Sequence, residues 1–196
     1  MGKVKAHIDT EFPAPNPVRF IDPLMHPPSY SHYFHINSNS KGWDKIWSRL
    51  IADTKIIVAA ADVALTAEDG PCYDEDLVTT IPPPIVSVDE GIYINGAGKG
   101  ASKPLVIGPH EDGHFNYVKT NWKPYDVVVC CVLLRAAMLA PHAVQLSSDG
   151  FWEEELSWKE VRRLYQSLWP EDNLYCPWKE PAVEDPNGGS TGCAPS

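Results

Sequence analysis

Residues 110–150 read HEDGHFNYVKTNWKPYDVVVCCVLLRAAMLAPHAVQLSSDG. From Val127 to Ala140 almost every position is apolar, which predicts a helix buried on several faces. Pro124 suits its first turn, where a missing N–H costs nothing, and Asp126 suits the positive end of the helix dipole. Pro141 stops the run, and Val144-Gln145-Leu146 then reads as a short strand leading into the turn Ser147-Ser148-Asp149-Gly150. On the other side, Phe115-Asn116-Tyr117-Val118 alternates as a strand does. A strand, a buried helix and a strand in close succession point to helices layered on a sheet.

Working outward, Trp43, Ile46, Trp47 and Leu50 recur at helical spacing behind Ser40, a candidate cap, and predict a helix over 41–54. Ile56-Ile57-Val58-Ala59-Ala60 has the β-branched start of a buried strand. Residues 67–76 are acidic and contain Gly70-Pro71, the composition of a loop. Ile92–Asn95, Pro104–Ile107 and Phe115–Val118 read as a meander of three strands. Ser157-Trp158-Lys159-Glu160 is a capping box, followed by the apolar stripe Val161, Leu164, Tyr165, Leu168. The expected fold is α+β (or α/β): one mixed or mostly antiparallel sheet packed with about three helices, one of them buried. The expected division is an arm over 1–40 rich in Pro, His and aromatics, a globular domain over 41–170, and a flexible tail over 171–196.

Composition narrows the function classes. A net charge of −10 with no basic run disfavours nucleic acid and anionic membranes, whose phosphates are bound by Lys and Arg. The longest apolar run is broken at Arg135 and is too short to span a bilayer, and residues 1–10 lack the apolar core of a secretory signal. Five cysteines, with Cys130 and Cys131 adjacent in the apolar helix, suit reduced buried thiols better than a disulfide framework. A cytoplasmic location is expected.

Several groups carry candidate chemistry. His110, Asp112 and His114 fall within five residues and could converge on a divalent metal, although a solvated turn between strands is the favoured account of them. Asp149 follows a strand end, an edge where ligands bind in open α/β sheets, and is a candidate acid/base group; the ordinary turn is its plain alternative. Lys119 alternates with apolar strand positions and would be a catalytic candidate if buried. His32 and His35 have His-x-x-His spacing, but an arm laying its aromatics on the core accounts for them. Gly96-Ala97-Gly98-Lys99-Gly100 lacks both phosphate-loop patterns and reads as a hairpin connector.

The segments 57–64 (IVAAADVA), Gly91-Ile92-Tyr93-Ile94-Asn95-Gly96, Lys119-Thr120-x-x-Lys123-Pro124-Tyr125-Asp126 and Ser147-Ser148-Asp149-Gly150 together resemble a group of uncharacterised proteins of mushroom-forming basidiomycete fungi. The likeness spans roughly residues 43–168 and implies a fungal, soluble single domain. No activity, cofactor or residue role is established for the group, so none transfers. Members of the group have a His-Glu-Thr-Phe-like step before the third strand. This chain has His110-Glu111-Asp112-Gly113-His114-Phe115 instead, which weakens any shared role for that loop.

Two functional classes follow. The favoured one is a non-enzymatic binding or assembly protein, with the aromatic, proline-rich N-terminal arm docking on its own core or on a neighbour, the latter giving a homo-oligomer through the arm. The alternative is a small metal-dependent hydrolase using His110, Asp112 and His114, with Asp149 and Lys119 as catalytic groups.

Overall fold

In a computed structural model, residues 29–67, 81–110, 114–153 and 158–178 are described. In chain order they form β1 (Ser31–Ile36), α1 (Lys41–Ala60), β2 (Leu65–Thr66), β3 (Ile85–Ser87), β4 (Gly91–Gly96), β5 (Leu105–Ile107), β6 (Phe115–Lys119), α2 (Asp126–Leu139), β7 (Val144–Ser148) and α3 (Trp158–Leu168). All strand pairs are antiparallel, and the class is α+β. One sheet has the order β6-β1-β7; in the other, β4 pairs with β2, β3 and β5.

The expected buried helix is α2. Residues 128–137 are all buried, and the helix packs against α1, α3 and β7. Its sequence has no polar stripe because no face meets water. Phe34, Ile36, Val118, Leu146, Ile92, Ile94, Leu105 and Ile107 line the same core from the two sheets.

The expected strand at Ile56–Ala60 is instead the C-terminal part of α1. Trp43, Trp47, Leu50, Thr54 and Ile57 are buried at steps of three or four, so the helical period simply continues. Ile56 lies 47% exposed, and Ala59 and Ala60 are good helix formers. The meander is also redistributed: β4 and β5 pair as expected, but β6 leaves them and pairs with β1. That partner lies within residues 1–40, read from sequence as an arm. Ser31–Ile36 is in fact the middle strand of its sheet. The packed unit also runs past residue 171, because Asp172 bonds Arg135 and Trp178 packs on Trp152 and Trp158. The acidic loop expected at 67–76 falls almost wholly outside the described residues, and Ser157 of the capping box lies outside them too.

The β3–β4 turn depends on a glycine. Gly91 has φ +102°, and a Cβ there would stand 2.5 Å from the Ile107 carbonyl oxygen of the neighbouring strand. Gly91→Ala is therefore expected to lower stability by about 1–3 kcal/mol. A urea unfolding midpoint equal to that of the wild type would contradict the placement of this turn.

Candidate functional site: a buried His–Asp–Cys cluster

Where β1 crosses α2, three polar side chains meet inside the core. His32 comes from the inward face of β1, and Asp126 and Cys130 from successive turns of α2. His32 is 0% exposed and Cys130 1%. His32 Nε2 lies 2.8 Å from Asp126 Oδ1 and 3.1 Å from Cys130 Sγ. Thr120, just before α2, donates its hydroxyl to the same carboxylate oxygen. The rings of Tyr30 and Trp158 stand edge-on to the imidazole at 4.9 and 5.6 Å, completing an aromatic wall.

Hydrogen-bond capacity assigns the imidazole tautomer. Ser148 Oγ lies 3.0 Å from His32 Nδ1, and it also accepts the Trp158 indole N–H and the Gly150 backbone N–H, each at 3.0 Å. Those two groups can only donate, so they occupy both hydroxyl lone pairs. The Ser148 proton is then the one directed at Nδ1. Nε2 accordingly carries the ring proton and donates it to Asp126.

This arrangement is not that of a nucleophilic thiol. In a cysteine–histidine pair oriented by a carboxylate, thiol and carboxylate use opposite ring nitrogens; here both face Nε2. Burial, reinforced by the Asp126 carboxylate, pushes the Cys130 thiol well above its usual range, and burial pushes Cys131 up to about 12. A reactive cysteine needs the opposite setting, exposed and electropositive. What remains open to the cluster is proton sharing or ligation of a cation. Among the described residues, these are the three His, Cys or carboxylate side chains whose donor atoms converge in this way, all lying within 4.8 Å of one another.

The candidates taken from sequence lie elsewhere. His110 and His114 are exposed on either side of residues 111–113, and Asp112 lies outside the described residues. His110 borders a shallow depression with Asp44, Trp47 and Asp89. Asp149 is exposed and clasps β1: its carboxylate accepts the Ser31 N–H at 2.9 Å and the Tyr33 hydroxyl at 3.1 Å. Lys119 is half-buried on β6, where its carbonyl accepts the Lys103 N–H. No hydrogen bond or ion pair joins Lys119 to Asp149 among the described residues.

His32-x-x-His35 spacing does not pair the two imidazoles. On a strand, positions three apart face opposite sides, so His32 points inward and His35 outward. The usable signal was Asp126-x-x-x-Cys130, two polar groups one turn apart on a helix otherwise apolar all round.

The chain is thus an α+β protein with a sealed polar centre between its middle strand and its buried helix. Comparison with protein-family models, with curated proteins and with solved structures finds no match.

Proposed function

We propose that this chain is a non-enzymatic assembly protein that associates with a second copy of itself, the proline-rich segment 13–28 of one copy docking on the aromatic sheet face of the other. The observation that carries this reading is the outer face of the β6-β1-β7 sheet. Phe115 is 66% exposed and Tyr117 48%, and Tyr33 stacks on Phe115 at 5.8 Å. Lys103 Nζ lies 3.3 Å from the centre of the Tyr117 ring. Beside them runs a groove of about 260 Å³ lined by Phe34, Pro104, Val106 and Tyr117 among others. Contiguous exposed aromatics of this kind mark interaction surfaces.

The backbone of β6 adds to the surface. Thr120 N donates to Tyr30 O, which makes Tyr30 and Thr120 a hydrogen-bonded pair and, by alternation, turns the backbone groups of Lys119, Tyr117 and Phe115 away from β1. Lys119 O bonds Lys103 N, whereas Tyr117 lines the groove.

The proposed occupant suits this surface. Residues 13–28 contain Pro13, Pro15, Pro17, Pro23, Pro27 and Pro28 together with Phe20, Ile21, Leu24 and Met25. Aromatic-lined grooves take proline-rich segments because the extended chain loses little entropy on binding. The segment ends at β1, whose own outer face belongs to the patch, so each copy offers both halves of the contact. The same reading places the protein in the cytoplasm, in keeping with its buried unpaired thiols and with the lack, among the described residues, of a helix long and apolar enough to cross a membrane.

Light scattering coupled to size exclusion tests the reading. The truncation must begin at Ser29, because a start near Lys41 would remove β1. The full chain is expected to run as a dimer, and both the Ser29–Ser196 chain and the full-length Phe115→Ser/Tyr117→Ser variant as monomers. A monomeric full chain, or a dimer unaffected by both changes, would refute it.

A further inference from the structure

We propose that His32, Asp126 and Cys130 form a buried binding site for one divalent transition-metal ion of the zinc class, which ties β1 to α2. The inference is independent of the assembly reading above.

Donor chemistry comes first. The cluster offers one imidazole nitrogen, one carboxylate oxygen and one sulfur, three of the four donors that borderline ions such as Zn²⁺ and Co²⁺ take in four-coordinate sites, the fourth position being left to a water molecule. Charge balance comes second. Asp126 is 9% exposed, and among the described residues its ion-pair partner is His32, whose Nε2–H form carries no charge; no Lys or Arg pairs with it. With Asp126 and a Cys130 thiolate as ligands, two negative charges meet a 2+ ion and the buried site becomes neutral. Burying a carboxylate without a counter-charge is costly, and a divalent ion removes that cost.

Outer-sphere support is the third argument. Ligating histidines are held through their second ring nitrogen and ligating carboxylates by further hydrogen bonds. Here Ser148 holds Nδ1 and Thr120 holds the Asp126 carboxylate. The Asp126 and Cys130 side chains share one helix face, so the backbone fixes two of the three ligands before any ion arrives.

The proton balance is explicit. The ion bonds to Nε2, and the proton there relocates to Nδ1, which turns from acceptor to donor toward Ser148 Oγ. Ser148 turns its own proton away and yields one of its two present N–H donors. Cys130 loses its thiol proton to solvent, so uptake releases one proton per ion and strengthens as pH rises. Metal–ligand bonds of about 2.0–2.3 Å in a tetrahedron require the three donor atoms to stand roughly 3.3–3.7 Å apart. The present 2.8 and 3.1 Å separations must therefore open by about half an ångström, within reach of side-chain rotation.

Cobalt spectroscopy on the full chain decides the matter. Cys72, Cys176 and Cys193 are first changed to serine, so that only the two helix thiols remain. Titration with Co²⁺ is expected to saturate at one equivalent, with a thiolate-to-cobalt charge-transfer band in the near ultraviolet and the visible bands of a four-coordinate ion. Zn²⁺ should abolish both. Cys130→Ser and, separately, His32→Gln should each remove the charge-transfer band or weaken Co²⁺ binding at least tenfold, whereas Cys131→Ser should leave it in place. Circular dichroism of each variant confirms that it is folded. Absence of the band in the parent, or its survival in folded Cys130→Ser protein, would overturn the proposal.

Discussion

Replacing Arg135 by alanine is expected to lower stability by about 3–5 kcal/mol, the usual cost of breaking a buried ion pair from one side. Arg135 is 1% exposed in the middle of α2. Its Nε bonds Asp53 of α1 at 2.7 Å, and its Nη1 bonds the Tyr165 hydroxyl of α3 at 2.7 Å and Asp172 beyond α3 at 2.5 Å. The guanidinium carbon also lies 4.0 Å from the centre of the Trp169 ring. One side chain therefore joins α1, α2 and α3. Without it, Asp53 is left as a nearly buried charge, its remaining partner being the exposed Arg49 at 3.6 Å. Adding Asp53→Asn to Arg135→Ala should recover part of the loss, because it removes the stranded charge. Urea unfolding of the two single variants and the double variant measures the coupling. A loss below about 1 kcal/mol for Arg135→Ala would show that water replaces the guanidinium.

The same network sets part of the acid limb of stability. The Tyr165 hydroxyl, with Arg135, holds the Asp172 carboxyl below its usual range. Its folded pKa thus lies below the unfolded value of about 3.9, so the stabilisation is present above that pH and is lost as pH falls through the folded value. Asp172→Asn should flatten the fall in stability below about pH 4. The effect will be modest, since the half-exposed carboxylate is screened by solvent.

Trp158→Ala is expected to cost about 3–5 kcal/mol, as removal of a fully buried indole does. Trp158 is 0% exposed and packs against Trp152 at 5.9 Å and Trp178 at 4.7 Å. Its indole N–H also satisfies Ser148 Oγ, which in turn orients His32. The alanine variant should therefore loosen the His32 ring as well as open a cavity, and imidazole NMR signals should report the change. Trp158→Phe keeps one aromatic ring but loses the N–H and part of the buried indole, so it should fall between alanine and wild type. An alanine variant within 1 kcal/mol of wild type would mean that the segment around Trp178 collapses into the space.

Local pattern and tertiary result agree best where burial is uniform. Fourteen residues of α2 are legible because a run between Pro124 and Pro141 that is apolar at all but Asp126 and Arg135 admits little else. The stripe Val161, Leu164, Tyr165, Leu168 is legible for the converse reason, a strong contrast between two faces. At Ile56–Ala60 the β-branched residues suggested a strand, but the preceding turns of α1 carried the helix through them. Helix propagation adds one bond for each residue fixed, which outweighs a small propensity deficit.

The candidate site was less legible, and the reason lies in sequence separation. His32 is 94 residues from Asp126 and 98 from Cys130. A spacing rule joins only residues of one element, so it could have offered Asp126 with Cys130 and no more. Seven histidines and 26 acidic residues make proximity along the chain a weak guide to convergence in space. The compact His110–His114 run drew notice for that proximity, while the geometry favours a histidine from a strand on the far side of the chain.

What the sequence by itself determined is the set of elements that bury a face: the core helix, the stripe of the last helix, the tryptophan-bearing first helix and the α+β class that these imply. Each is a local choice, governed by the period of apolar residues and by proline and glycine. Tertiary structure alone decided that residues 31–36 form the middle strand of a sheet, that β6 pairs with that strand and not with its neighbour β5, and that His32 lands on Asp126 and Cys130. Those outcomes rest on strand pairing and core packing between distant segments. Such contacts are selected by the free energy of burying the whole core, to which no short stretch of sequence has access.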